Sequence, residues 1–241
     1  MTDTQTAWPA DRGLVTETIA VLGAGGIIGF PVARNLARSG GPVRAWNRSR
    51  GKAAPLAADG AYLARSPRDA ASGAGIVITM LADEDAVVRA MNGPDGALRA
   101  LAGTQRAANA RIGHHCDPRR PLWVQMSTIG ETATKRCADL ANRNGVGFVD
   151  APVLGTRQPA EEGRLVILES GPEEARHRLA PVFGAIGQRT IRAGDVGAGS
   201  RLKAILNYLV LAVVESGAES TAIDLPLIEA LACRFAEAAK D

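Results

Sequence analysis

Two groups of residues in this chain have types and spacing suited to chemistry. The first is Gly23-Ala24-Gly25-Gly26-Ile27-Ile28-Gly29. It follows an apolar run at residues 18–22 and opens the helical pattern Pro31-Val32-Ala33-Arg34-Asn35-Leu36-Ala37. Glycines let a backbone turn tightly and come close to a pyrophosphate, and the helix start behind them offers free N–H groups and a positive dipole end. The spacing is irregular. Gly23, Gly25 and Gly29 read as G-x-G-x-x-x-G, one residue longer than usual, whereas Gly26 and Gly29 keep the usual final spacing only if Ala24 takes the first glycine's place. All seven residues are candidates for binding a dinucleotide. The second group is Lys203 and Asn207, four apart and so one turn above each other on a helix face. Their neighbours Leu202, Ile205, Leu206, Leu209 and Val210 are apolar. A partly desolvated lysine has a lowered pKa and suits general acid–base work, and a carboxamide beside it can bind a substrate hydroxyl. Spacing alone equally allows a lysine stem lying along apolar surface.

The end of the second strand speaks to cofactor choice. Residues 42–48 look like that strand, and they end in Asn47 and Arg48, followed by Ser49, Arg50 and Lys52. A site selective for NAD(H) usually has a carboxylate here to accept from the ribose hydroxyl. A neutral Asn47 with cations behind it suits a 2′-phosphate, so NADP(H) is expected to be preferred, with NAD(H) possible.

Strands alternating with helices must position these groups. Strand patterns are expected at residues 18–22, 43–47, 76–81, 122–126, 148–153 and 165–169. Helical ones are expected at 31–38, 66–72, 84–91 and 131–144, the last preceded by Ser127 and Thr128 as start signals. Alternation of this kind predicts an α/β fold, a Rossmann-type doubly wound parallel sheet covered on both faces. From residue 200 the pattern turns to helix, at 202–215 and 225–240. The expected organisation is a disordered start at 1–16, a dinucleotide-binding domain at 17–196, and a shortened all-helical C-terminal region at 197–241.

Composition excludes some classes. With 241 residues, 46% hydrophobic and 22% charged, the chain is ordinary for a globular protein. A net charge of +3 with scattered basic residues gives no reason to expect nucleic acid. The apolar run at 204–214 is broken by Asn207 and is too short for a bilayer, so no membrane association is expected. Three distant cysteines, Cys116, Cys137 and Cys233, and a polar start without a signal region suggest a reducing, cytoplasmic location. Residues 103–121 lack periodicity and read as a surface insertion. His114, His115 and Cys116 within it are adjacent and have no second ligand cluster, so no metal is expected.

Taken together, the motifs resemble the β-hydroxyacid dehydrogenases, which include 3-hydroxyisobutyrate and 6-phosphogluconate dehydrogenases, and most of all their glyoxylate/succinic semialdehyde reductase branch. The matches run in family order: Leu22-Gly23-Ala24-Gly25, Asn47-Arg48-Ser49, Ile78-Thr79-Met80-Leu81, Met126-Ser127-Thr128-Ile129, Asp150-Ala151-Pro152-Val153 and the Lys203/Asn207 segment. The resemblance implies hydride transfer between NAD(P) and a small hydroxy acid, aldehyde or keto acid. It puts Leu81, Ala82 and Thr128 beside the cofactor, makes Lys203 the general acid/base and makes Asn207 the group that orients substrate. Where the family has Ser-Gly-Gly for the substrate carboxylate, this chain has Leu154-Gly155-Thr156. The Leu154 side chain has no donor, so Leu154→Ser is expected to lower KM for a small acid. The chain also ends 34 residues after Asn207, short of the family's helical domain. The expectation is an exposed helix that pairs with residues 225–235 in a homodimer. Two alternatives stand beside the reductase: an imine reductase-like enzyme, and a non-catalytic cofactor-binding or interaction protein.

Overall fold

Hydrophobic runs with no polar face become the centre of the sheet. In the computed structural model, β2 (Ile19–Leu22), β5 (Ile76–Thr79), β6 (Leu122–Gln125) and β7 (Gly147–Asp150) are buried at every position. Burial on both faces is what a parallel sheet between helical layers requires. The structure describes residues 15–102 and 120–210 in full, together with the backbone of β1 (Ala7–Trp8) and of residues 211–215. With β3 (Val43–Trp46) and β4 (Tyr62–Leu63) the parallel strands lie in the order β4-β3-β2-β5-β6-β7. This is the doubly wound order, and its direction of winding reverses between β2 and β5.

Beyond β7 the sheet changes direction. β9 (Leu165–Ser170) pairs antiparallel with β7, and β10 (Gly187–Gly194) runs parallel to β9. β8 (Val153–Leu154) pairs antiparallel with β9, and β1 closes the open edge of β10 in antiparallel register. The helices are α1 (Gly29–Arg38), α2 (Pro67–Ala71), α3 (Glu84–Asn92), α4 (described over 97–102), α5 (Glu131–Arg143), α6 (Arg157–Glu161), α7 (Arg176–Ile186) and α8 (Ala198–Glu215). One face of the sheet packs Val21, Ile78 and Ile167 against Val32 and Leu36 of α1 and Val182 and Phe183 of α7. The other packs Leu22, Val77 and Trp123 against Val87 and Met91 of α3 and Cys137 of α5. Cys137 is a core residue, and burial pushes its thiol up to about 11. A third apolar cluster, Leu154, Val166, Leu168, Ile191, Ala193, Leu202 and Leu206, seats α8 on β8, β9 and β10.

Several expectations are corrected. The expected Rossmann-type doubly wound parallel sheet is present, and β9 and β10 extend it in the opposite direction. α7 and β10 are additional to the expected elements: Pro181 interrupts the first pattern, and Gly187-Gln188-Arg189-Thr190-Ile191-Arg192-Ala193-Gly194 has no apolar run. The single strand expected at 148–153 is two, because the chain turns at Ala151-Pro152, and Pro152 has no N–H for a ladder. Within the stretch 1–16, Ala7–Trp8 pairs with the edge strand β10, and residues 1–6 and 9–14 lie outside the described residues. Ser127 and Thr128 do not cap α5. Gly130 does, at φ +82° and without a side-chain bond.

Glu169 on β9 is a buried acid. It is 4% exposed, one carboxyl oxygen has no hydrogen-bond partner among the described residues, and Arg192 stands opposite it in register on β10. Burial raises its pKa, and Arg192 only partly opposes this. Below the ordinary carboxyl range both folded and unfolded chains hold the proton. As pH rises the unfolded chain ionises first, so stability is lost as pH passes up through the folded pKa. Glu169→Gln is therefore expected to raise Tm at pH 7 relative to wild type and to leave it unchanged near pH 4. Each kcal/mol regained is worth about 2–4 °C in a chain of this size. Thermal melts that give the same difference at both pH values would contradict this.

Candidate active site

The reversal between β2 and β5 opens a crevice at the carboxyl edge of the sheet, and the glycine turn lies in it. Gly23 has φ +100°, and a side chain there would run into the carbonyl oxygen of Met80. A Cβ on Gly25 would lie 2.7 Å from both Asn47 Cγ and Lys52 Cβ, and one on Gly29 would strike the carbonyl of Gly23. Gly26 would meet nothing nearer than 3.4 Å. The geometry therefore selects the spacing of Gly23, Gly25 and Gly29. Ala24 does not line the cleft beside the turn: its side chain is fully buried, and its N–H donates to the carbonyl of Trp46 at 3.0 Å.

The start of α1 is open for an anion. Ile28 at its N-cap provides no side-chain cap, and the N–H groups of Gly25, Ile27 and Ile28 meet no acceptor among the described residues. Ile27 is 75% exposed. A cleft of about 610 Å³ lies against the turn. Its walls include Gly23, Gly25, Gly26, Asn47, Arg48, Ser49, Leu81 and Ala82 from the expected set. The Asn47 carboxamide donates to the carbonyl of Ser49 at 3.0 Å and shapes the loop, while Arg48 and Lys52 reach solvent. Trp46, Pro67, Met80, Asp83, Ala86, Arg89, Ala90, Pro94 and Asp95 also line the cleft, outside the expected set. Asp83 alone carried a usable signal, as the N-cap of α3 accepting from Ala86 at 2.7 Å. The rest are brought in by the fold.

A buried polar network fixes the Leu81 wall. Trp123 Nε1 donates to Thr79 Oγ1 (2.9 Å), which donates to Gln125 Oε1 (2.6 Å), and Gln125 Nε2 donates to the Ser127 carbonyl (2.9 Å). Ser127 Oγ then accepts from the Leu81 N–H at 2.8 Å. Thr128, expected beside the cofactor, is exposed and does not line the cleft, because Ser127 is the residue turned inward.

Lys203 and Asn207 do not line this cleft either. They ride on α8, whose first turn is bonded to Asp150 at the end of β7. Gly23 and Met80 follow parallel strands and Asp150 ends one, so the start of α8 and the cleft lie at the same sheet edge. Lys203 is half-buried, and desolvation lowers its pKa. Asn207 is exposed. Leu154 does not line this cleft: its side chain is 4% exposed and packs with Leu202 and Leu206 under α8. Gly155 has φ +127°, and a Cβ there would lie 2.9 Å from Leu165. Thr156 is exposed at the N-cap of α6, where its hydroxyl makes no cap bond. Among the described residues no cluster of His, Cys, Asp and Glu could hold a metal, and no helix is long and apolar enough to cross a membrane. His114, His115 and Cys116 lie outside the described residues, as does the 225–235 half of the expected dimer face. On α8, Ile205 and Tyr208 are exposed.

The glycine turn, the open helix start and the strand order define a dinucleotide-binding Rossmann domain. Residues 18–194 match the model of the NAD binding domain of 6-phosphogluconate dehydrogenase. The chain is 34% identical to the uncharacterized oxidoreductase YfjR of Bacillus subtilis, over 84% of this chain and 65% of that protein. It is 29% identical to the chloroplastic glyoxylate/succinic semialdehyde reductase 2 of Arabidopsis thaliana, over 89% of this chain and 56% of the other. Mycobacterium tuberculosis 3-hydroxyisobutyrate dehydrogenase with L-serine superposes with a TM-score of 0.62 at 25% identity, covering 85% of this chain and 67% of that one. The chain belongs to the β-hydroxyacid dehydrogenase family. It spans about 56–65% of the length of the two relatives.

Proposed function

We propose that this chain is an NADP(H)-dependent reductase of small aldehydes and keto acids. The observation that carries this reading is a half-buried lysine on a helix bonded to the end of β7, at the same sheet edge as the glycine cradle. The residues present fit a dinucleotide. Gly23, Gly25 and Gly29 let the turn pack against Met80, against Asn47 and Lys52, and against itself, which holds its backbone at the cleft, and the uncapped start of α1 suits the pyrophosphate. Arg48, Ser49 and Lys52 would hold the ribose end, Leu81 and Ala82 the opposite wall. NADPH, when bound, supplies a hydride for the carbonyl carbon.

The chain's own groups handle the oxygen. An alkoxide forming there needs a proton, and the Lys203 ammonium, with its pKa lowered by burial, releases one readily. Asn207, on the same helix face, would bind the oxygen or hold the ammonium in line. The backbone N–H groups of Gly155 and Thr156 and the Thr156 hydroxyl are the remaining donors for a substrate carboxylate. Monitoring NADPH oxidation across aldehydes, keto acids and imines tests the assignment. Turnover of carbonyl compounds is expected. Turnover of imines alone, or of nothing at saturating cofactor, would remove it.

Cofactor preference follows from the ribose end. A charge-assisted contact contributes about 1.5–3 kcal/mol, so NADPH is expected to bind on the order of ten- to a hundred-fold more tightly than NADH. Arg48→Ala is expected to erase most of that difference. Titration of cofactor fluorescence would expose the error as equal affinities in the wild type.

A further inference from the structure

We propose that Asp150 is a positioning residue for Lys203: a carboxylate at the end of β7 that ties down the first turn of α8 and so sets where the lysine amine sits. The inference rests on the reading of Lys203 as the proton donor.

Asp150 is fully buried. Its Oδ2 accepts from the Ser200 N–H at 2.8 Å and from the Ser170 hydroxyl at 3.1 Å, and its Oδ1 accepts from the Ser200 hydroxyl at 2.8 Å. Ser170 Oγ in turn accepts from the Gly199 N–H at 3.0 Å. An ionised carboxylate can only accept. Ser200 must therefore give its proton to Asp150, which makes Thr134 the donor in its 2.9 Å contact with Ser200. Each hydroxyl in the group has one direction open to it. The first N–H groups of a helix have no partner within the helix. Here two of them, on Gly199 and Ser200, are taken by side chains of β7 and β9. α8 also sits very close to the sheet. A Cβ on Gly199 would strike the carbonyl of Leu168 and lie 3.2 Å from both Asp150 Oδ2 and Ser170 Oγ.

Ser200, Lys203 and Asn207 follow at intervals of three and four, so they share one stripe of the helix. What holds Ser200 down therefore also sets the rotation and depth of Lys203. A hydroxyl or carboxamide would cap a helix without burying a charge. Burial raises the Asp150 pKa, and the bonds from Ser200, Ser170 and Gly197 oppose that rise. The other charged groups at this end of α8 among the described residues are Glu131 and Lys135, paired at 2.7 Å beside Gly197, and the exposed Asp195 and Arg201.

Labelling of Lys203 by acetic anhydride across pH, read by peptide mass spectrometry on the full chain, tests this without relying on turnover. Desolvation alone depresses Lys203, so its titration midpoint reports how deeply it sits. In Asp150→Ala the midpoint is expected to rise toward the ordinary 10.5. Asp150→Asn keeps one acceptor and can donate to Ser200 Oγ, so it should keep the wild-type midpoint. Turnover in Asp150→Ala should fall about ten- to a hundred-fold in kcat, as a displaced catalytic group does. NADPH affinity should hold, because the cleft walls come from other strands. Should Asp150→Ala not fold, Ser170→Ala removes the Gly199 bond and one Asp150 bond and should move the midpoint the same way. An unchanged midpoint in each folded variant of the two overturns the proposal. A wild type that labels as expected but reduces no carbonyl would instead sink the reductase reading.

Discussion

Lys203→Ala is expected to lower kcat by about a hundred-fold or more, the usual scale for losing a general acid. NADPH affinity should stay near wild type, since Lys203 lies outside the cleft that the glycine turn and the β3 loop build. The loss belongs in kcat because the proton moves as the alkoxide forms, not when substrate binds. Burial lowers the lysine's pKa, and only the protonated amine can donate. Wild-type reduction should accordingly fall as pH rises through a value below the ordinary lysine range. That limb should vanish in the alanine variant's residual rate. Steady-state kinetics across pH measures both effects. Activity within a few-fold of wild type would take Lys203 out of the mechanism.

Leu154→Ser is expected to destabilise the protein rather than improve substrate affinity. The residue's type suggested a pocket position that had lost a donor. In the fold it closes the apolar cluster beneath α8, touching neither solvent nor the cleft. Truncating a buried leucine costs about 2–5 kcal/mol, and a buried hydroxyl without a partner adds about 1–3 kcal/mol. A fall in Tm on the order of 10 °C follows from even the lower range. Leu202 and Leu206 flank Lys203 on α8, so a loosened helix should also lose kcat. Calorimetry and kinetics on the same preparation decide the matter. A variant with wild-type Tm and a lower KM for a small keto acid would restore Leu154 to the substrate site.

The central strands, the glycine turn and the lysine helix are legible in the residues alone, because each rests on local rules. Strands buried on both faces read as apolar runs, glycines mark backbone that side chains cannot occupy, and Lys203 and Asn207 are joined by helical spacing alone. The folded structure alone picked out the glycines that matter. Gly23, Gly25 and Gly29 are crowded by Met80, Asn47 and Lys52, and by the turn itself, whereas Gly26 is free. It likewise decided that β9 and β10 run against the rest of the sheet, since a strand of polar residues between glycines has no periodicity to read. Leu154 and Asp150 show the reason most directly. One looked like a pocket residue and packs in a core; the other was one letter of a motif and holds a helix through partners 20 and 50 residues away. Such contacts depend on which surfaces meet after the chain has folded, and no local pattern records them.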